Sequence, residues 1–351
     1  MNSRTRLPVI VDTTLRDGIQ MPGAALSFSD KAAVFDRLAR LGITEAEIGC
    51  PAQGTRAIRE IRDLSSRHPS INCSTWCRAR TGDIDAAVVS GVRTIHISFP
   101  VSDRHMAITG FSRSSVLERC IHLIRHARDG APRVTIGAQD ATRAEPSFLH
   151  DFVATAHDTG AARVRIADTV GIATPTTIFR LIEELKNTQP AAALEYHGHN
   201  DFGLATATTL AAMEAGVDAV SVTAMGVGER AGNAALEEVL TAAVMLYGYE
   251  TVLHLEELAE VCRITSGCFD LPVRPDKAVC GANAFRHESG IHCHGMLRDS
   301  LSYQPIHAES VGRTTIFSTG PQSGYSSIRA VRLLHQPAVP RSPETIQENH
   351  P

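Results

Sequence analysis

The chain has 351 residues, 43% of them hydrophobic and 21% charged, which is enough apolar material for one large core with a smaller appendage. A formal net charge of -4 provides no basic field to gather a phosphate backbone or an anionic lipid surface, so nucleic acid and membrane are excluded as expected partners. No apolar run approaches the roughly 18 residues of a membrane-spanning helix, and the arginine-containing start leads directly into a strand-like segment, so a cytoplasmic protein is expected.

Eight short apolar, β-branched segments follow one another, at residues 8–15, 46–50, 71–76, 94–100, 133–140, 163–170, 193–200 and 219–226. Between them lie helix-length stretches with apolar residues three and four apart, as at residues 30–41, 176–185 and 205–215. Such alternation implies parallel strands joined by helical crossovers, and eight units of it fit an α/β fold of the closed (β/α)8 TIM-barrel kind better than an open doubly wound sheet. The polar residues support the barrel, which gathers its chemistry at the C-terminal ends of the strands. Strand one ends in Arg16-Asp17, strand two in Glu47, strand three near Arg78 and strand five in Gln139-Asp140. Strand six ends in Asp168-Thr169, and strand seven in His197, His199, Asn200 and Asp201.

After the eighth unit a helix is expected over residues 253–263, and Pro272 and Pro275 then break regular structure before a His- and Gly-rich stretch. This divides the chain into a barrel domain over 1–275, a small subdomain over 276–320 that contributes to the site, and a partly disordered tail over 321–351. The eight cysteines are scattered without a C-x-x-C pair and are read as reduced thiols.

His197 and His199 stand two apart at a strand end, so both rings point to one face of the sheet and one ion could take both nitrogens. Alone, such a pair is a weak signal, and His292-Cys293-His294 repeats it in a chain of 16 histidines. Asp17 and Asn233 strengthen it, because a closed barrel brings both to the same mouth. Two imidazoles with carboxylate and amide oxygens suit a divalent Mg, Mn or Zn ion with open positions. Arg16 beside Asp17 would bring a further positive charge to a ligand oxygen on which an enolate or alkoxide develops. The glycines of residues 226–233 allow close backbone approach to a ligand, without matching a P-loop or dinucleotide fingerprint.

Leu15-Arg16-Asp17-Gly18-Ile19-Gln20, then ten residues and Lys31, together with Leu194-Glu195-Tyr196-His197-Gly198-His199-Asn200-Asp201-Phe202-Gly203, resemble the two signatures of the homocitrate and isopropylmalate synthase family. The likeness continues through Ile166-Ala167-Asp168-Thr169-Val170-Gly171, the 228–233 loop and Phe285-Arg286-His287-Glu288-Ser289-Gly290-Ile291-His292, and covers roughly residues 8–315. Glu47-Ile48-Gly49, Trp76-Cys77-Arg78 and Pro100-Val101-Ser102-Asp103 bring it nearest to the nitrogen-fixation type of homocitrate synthase. The resemblance implies a homodimer that condenses acetyl-CoA with a 2-oxo acid. Asp17, His197 and His199 would be the metal ligands, with Asn233 at or near the ion, and Arg16 would polarise the keto oxygen. Gln20, Glu47 and Thr169 would bind the substrate, and Arg78 would read its far end. His292, and Tyr303 reaching across the dimer, would move protons at the acetyl-CoA methyl group.

Departures from the family pattern open alternatives. Gln139 stands where the family has a glutamate that assists His292, and a carboxamide keeps the hydrogen-bonding geometry but takes up no proton. Met225 and Thr208 replace common asparagines near the mouth, and residues 320–324 replace a Gly-Lys-His-Ser-Gly pattern. Slow turnover, another 2-oxo acid such as phosphonopyruvate, oxaloacetate or an alkyl 2-oxo acid, and a catalytically impaired 2-oxo-acid-binding relative all stay open. The lyase branch of the same barrel runs the carbon-carbon chemistry backwards, and the match over residues 285–292 argues against it.

Overall fold

Residues 6–321 and 323–334 are described by the structure, a computed structural model of the chain. Helices begin where side chains cap them. Ser27 and Asp30 exchange side-chain and backbone hydrogen bonds to open the helix Phe28–Leu41, and Gly42, at φ 93°, ends it. Thr174 and Thr177 do the same for the helix Pro175–Thr188, with proline in its first turn. The buried faces of these two helices, with Phe35, Leu38, Leu41, Ile178, Ile182 and Leu185, join the core, each such side chain contributing roughly 1.5–3 kcal/mol of burial.

The strands are β1 (Val9–Asp12), β2 (Glu45–Glu47), β3 (Asn72–Arg78), β4 (Thr94–Pro100), β5 (Arg133–Gln139), β6 (Arg163–Asp168), β7 (Leu194–Gly198) and β8 (Ala219–Val222). They close in sequence order into a parallel barrel, with Val9 to Asp12 of β1 in register with Ala219 to Val222 of β8. This is the expected (β/α)8 TIM barrel, with several strands shorter than their apolar runs. The oxygen of Thr13 captures the amides of Arg16, Asp17 and Gly18, so the chain turns four residues after β1 begins to break from the sheet and throws the Arg16-Asp17 pair over the mouth. Likewise β8 stops at Val222, and a short helical turn, Ala224–Gly226, holds Met225 at φ 60° with its amide on Glu237 Oε2 at 3.0 Å.

Inside the barrel, the layer beneath the mouth is ionic rather than aliphatic. Arg163 bridges Glu195 and Glu45 at 2.7 Å each, Arg165 bridges Glu195 at 2.6 Å and Glu47 at 3.1 Å, and Arg133 meets Glu45 at 2.6 Å. Burial opposes the charge on Glu47, but Arg16 and Arg165 hold its carboxyl down at about 2. Removing one member of such a lattice strands the others in low dielectric. Glu47→Ala is therefore expected to lower unfolding stability by about 3–5 kcal/mol in denaturant titration, and a loss within experimental error would show that the lattice relaxes around the gap.

Asp12, 1% exposed at the end of β1, accepts from the Thr14 amide and hydroxyl, both at 2.9 Å. Burial outweighs those bonds and pushes its carboxyl up to about 7. With the folded value raised above the unfolded one, its contribution to stability is complete below about pH 4 and is lost as pH climbs toward 7. Asp12→Asn should flatten the melting temperature across that window and raise it by a few degrees at pH 8; an unchanged pH slope would refute the assignment.

Beyond the barrel, strands β9 (Arg286–His287) and β10 (Ile316–Phe317) pair in parallel, and the helix Gly290–Met296 packs against the helix Tyr325–Leu334. That last helix occupies part of the segment expected to be a tail; from residue 335 the expected tail lies outside the described residues. All eight cysteines are free thiols. Among the described residues no helix is long and apolar enough to cross a membrane.

Candidate active site

The turn after β1 and the end of β7 bring three potential ligands together. Asp17 Oδ2 lies 3.2 Å from His197 Nε2 and 3.7 Å from His199 Nε2, and the two Nε2 atoms are 3.3 Å apart, all three residues being buried. His197 is on β7; His199 follows it and forms an isolated bridge to Asn233, which comes from the loop after β8. In that loop a Cβ on Gly228 would strike Asn233 Nδ2, and one on Gly232 would strike the oxygen of Gly226, so both positions need glycine.

Two buried oxygens here are left without hydrogen-bond partners. Asp17 Oδ2 and Asn233 Oδ1 are buried and make no hydrogen bond, while Asn233 Nδ2 donates to the Val227 oxygen at 3.0 Å. Each of the three residues turns a ligand atom to the same small space, as ligands of one cation do. Burial opposes the charge on Asp17, but Arg16 and the His197 contact outweigh it and keep the carboxyl well below the usual range. Burial, then His197, pushes His199 down to about 4, so at neutral pH its ring is an uncharged donor. One carboxylate, two imidazoles and an adjacent amide oxygen fit a divalent cation.

Arg16 is fixed beside this cluster. One of its terminal nitrogens lies 3.0 Å from Asp17 Oδ1, its Nε donates to Glu47 Oε1, and its guanidinium carbon lies 6.0 Å from the Trp76 ring centroid. It lines a cavity of about 260 Å³ together with Asp17, Gln20, Gln139, Thr169, His197 and His199. A larger groove, about 1140 Å³, opens at the other end of the barrel around Pro8, Thr44 and Val217. It lies at the strands' N-terminal ends, away from the clustered titratable side chains, so its size does not make it the site.

Thr169 Oγ1 accepts from the Asp140 amide at 2.8 Å, leaving its proton to donate elsewhere. Asp140 and Asp168 serve the frame. Asp140 is bound by Arg143 and Ser102, and Asp168 accepts from the Thr142 hydroxyl and the amides of Ile172 and Ala173. Asp201 is clamped by Arg230 at 2.7 and 2.9 Å.

Four expected site residues stand elsewhere. Glu47, expected to bind substrate, is fully buried below the cavity, where its carboxylate is taken up by Arg16 and Arg165. Arg78, expected to read the substrate's far end, is half-exposed, does not line the cavity, and is held by Asp83 through bonds of 2.8 and 2.9 Å. His292 and Tyr303 stack on each other with ring centroids 4.3 Å apart and are exposed in the small subdomain, and neither lines this chain's cavity. The residues that sequence reasoning passed over are Trp76, His96, Ser98, Gly137, Arg165 and Ala167, with Glu229 and Arg230 at the mouth. The inward period of two was the available signal: Gly137 precedes Gln139 by two, and Ala167 and Arg165 precede Thr169 by two and four.

Known proteins resemble the chain over nearly its whole length. Residues 8–264 match the HMGL-like family model, and residues 279–341 match the homocitrate synthase post-HMGL domain-like model. The chain is 38% identical over 340 residues to homocitrate synthase 1 of Nostoc sp., covering 97% of this chain and 89% of that one. It is 37% identical over 341 residues to the 2-isopropylmalate synthase of Sulfurisphaera tokodaii, covering 97% and 88%. The crystal structure of hydroxymethylglutaryl-CoA lyase from Pseudomonas aeruginosa superposes with a TM-score of 0.68 at 20% identity, covering 80% of this chain and 97% of that one, a likeness of fold. The chain therefore belongs to the HMGL-like family, among the condensing synthases whose barrel is followed by a homocitrate synthase post-HMGL domain.

Proposed function

We propose that the protein is an acyltransferase that condenses acetyl-CoA with a 2-oxo acid, converting 2-oxoglutarate to homocitrate. The observation that carries this reading is Arg16 locked beside Asp17, His197 and His199 on a small cavity. The methyl carbon of acetyl-CoA loses a proton and adds to the keto carbon, the keto oxygen gains a proton, and water then cleaves the thioester to release CoA as a free thiol. When bound at Asp17, His197 and His199, with Asn233 beside it, a divalent cation (Mg, Mn or Zn) supplies Lewis-acid polarisation of the keto group.

Arg16 donates to the keto oxygen as negative charge grows there, and needs no reorganisation because Glu47 and Asp17 already fix it. Thr169 donates its free hydroxyl proton to the substrate carboxylate, and Gln20 borders the entrance. His292 moves the methyl proton, paired with Tyr303, and both come from a second copy of the chain, since neither borders its own cavity. The working unit is accordingly a homodimer.

Gln139 favours a second reading, the same condensation on another 2-oxo acid (phosphonopyruvate, oxaloacetate or an alkyl 2-oxo acid), because a carboxamide at the rim changes both charge and proton handling. The test is free-thiol release from acetyl-CoA by metal-loaded protein across a panel of 2-oxo acids. Release with 2-oxoglutarate is expected. Release with a different acid moves the assignment to the second reading, and silence with all of them, alongside tight 2-oxo acid binding, identifies a binding protein that has lost turnover.

A further inference from the structure

The cavity does not end at the Asp17, His197 and His199 cluster. Ala167, level with His197, and below it Ser98 and Gly137 occupy inward positions where a barrel usually carries bulky side chains, and they leave a shaft. Its floor is Arg165 and His96, 5% and 2% exposed, both of which also line the cavity. Gly137 lies in register with Ser98 on one side and Arg165 on the other, and a Cβ there would come within 2.7 Å of His96 Nε2.

The floor holds unused donors. Arg165 gives Nε to Glu195 at 2.6 Å and Nη1 to Glu47 at 3.3 Å, and Nη2 has no protein acceptor among the described residues. His96 Nδ1 lies 2.9 Å from the Thr135 hydroxyl; with that hydroxyl donating, the single ring proton is on Nε2, the atom nearest Gly137.

We propose that Arg165 and His96 bind the second acidic group of the substrate, so that the site selects a dianionic 2-oxo acid with a short spacer. This rests on the reading of the site given under Proposed function and gives Arg165 the role that Arg78 cannot fill from its bond to Asp83.

Distance and charge support it. Arg165 precedes Ala167, the register partner of His197, by two residues, a drop of roughly 6.6 Å along the strand. Three carbon–carbon bonds from keto carbon to distal carboxyl, roughly 4 Å, and one hydrogen bond of about 3 Å span that drop. In the ionic layer, Arg16, Arg133, Arg163 and Arg165 pair with Asp17, Glu45, Glu47 and Glu195, so the layer itself has no surplus carboxylate. Added positive charge from a bound divalent cation therefore favours an anionic group on the shaft floor over an apolar one.

The experiment is calorimetric titration of the metal-loaded full chain with 2-oxoglutarate, with 5-methyl-2-oxohexanoate, in which an isopropyl group replaces the distal carboxylate, and with pyruvate. The wild type should bind the diacid at least about tenfold more tightly than the isopropyl analogue. Arg165→Met should erase most of that preference while pyruvate affinity stays within about threefold. Should Arg165→Met fail to fold once Glu47 and Glu195 lose their partner, Ala167→Val, which narrows the shaft and leaves the ionic layer intact, should weaken 2-oxoglutarate about tenfold and spare pyruvate. Equal wild-type affinity for diacid and analogue, or a diacid preference that survives in the folded variants, overturns the proposal and leaves the condensation reading standing. Failure of pyruvate and every other 2-oxo acid to bind overturns both.

Discussion

Thiol release by a His197→Ala variant is expected to fall by roughly three orders of magnitude, the size of effect that losing a Lewis-acid contribution of several kcal/mol produces. The site leaves little room for compensation. His197 and His199 present their Nε2 atoms 3.3 Å apart beside Asp17 Oδ2, so removing one ring leaves two donors, one of them already tied to Arg16. Two further measurements separate loss of the cation from general damage. The wild type should gain melting temperature with added divalent cation and lose that gain with a chelator, through mass action on the folded state. His197→Ala should show neither response and should melt near the metal-free wild type. A variant that still responds to the cation and turns over at more than about a tenth of the wild-type rate would sink the ligand assignment.

The second large effect runs the other way. Gln139→Glu is expected to raise kcat by about a hundredfold with KM changed less than threefold, the lower end of what a well-placed general base contributes. Gln139 ends β5 and lines the cavity, so a carboxylate there would take up a proton and raise the basicity of a histidine brought close. Asp140 cannot stand in for it, because that carboxylate is fully buried and engaged by Arg143 and Ser102. An unchanged or lower kcat would mean that proton transfer is arranged around the carboxamide, and would favour a substrate for which the family's glutamate is not needed.

Both predictions turn on residues that could be picked out before any folding. Arg16-Asp17, His197-x-His199, Gln139 and Thr169 each follow a strand-length apolar run, and a period of two fixes the face toward which such residues point. The eight strands were legible for the same reason, although their ends were not. Hydrophobicity continues past Asp12 and Val222, whereas the backbone bonds at Thr13 and the positive φ of Met225 end the sheet there. The bond between Arg78 and Asp83 joins neighbours five residues apart and was within reach of a closer reading of the chain.

What no local pattern contained was depth and partnership. Glu47 looked like a mouth residue because it ends a short strand, yet the stagger of the closed barrel sinks it below Arg16 and opposite Arg165, 118 positions along the chain. His292 and Tyr303 are neighbours in the small subdomain and do not line the cavity beside Asp17, His197 and His199, a separation that the spacing of residues in a sequence cannot express. By itself the sequence determined the order of strands and helices, the inward face of each strand and the chemistry at its end, because these depend on residues close together in the chain. Which guanidinium meets which carboxylate, and how far the cavity descends toward Arg165 and His96, only the tertiary structure decided, because closing eight strands into a ring sets heights and neighbours that belong to no single segment.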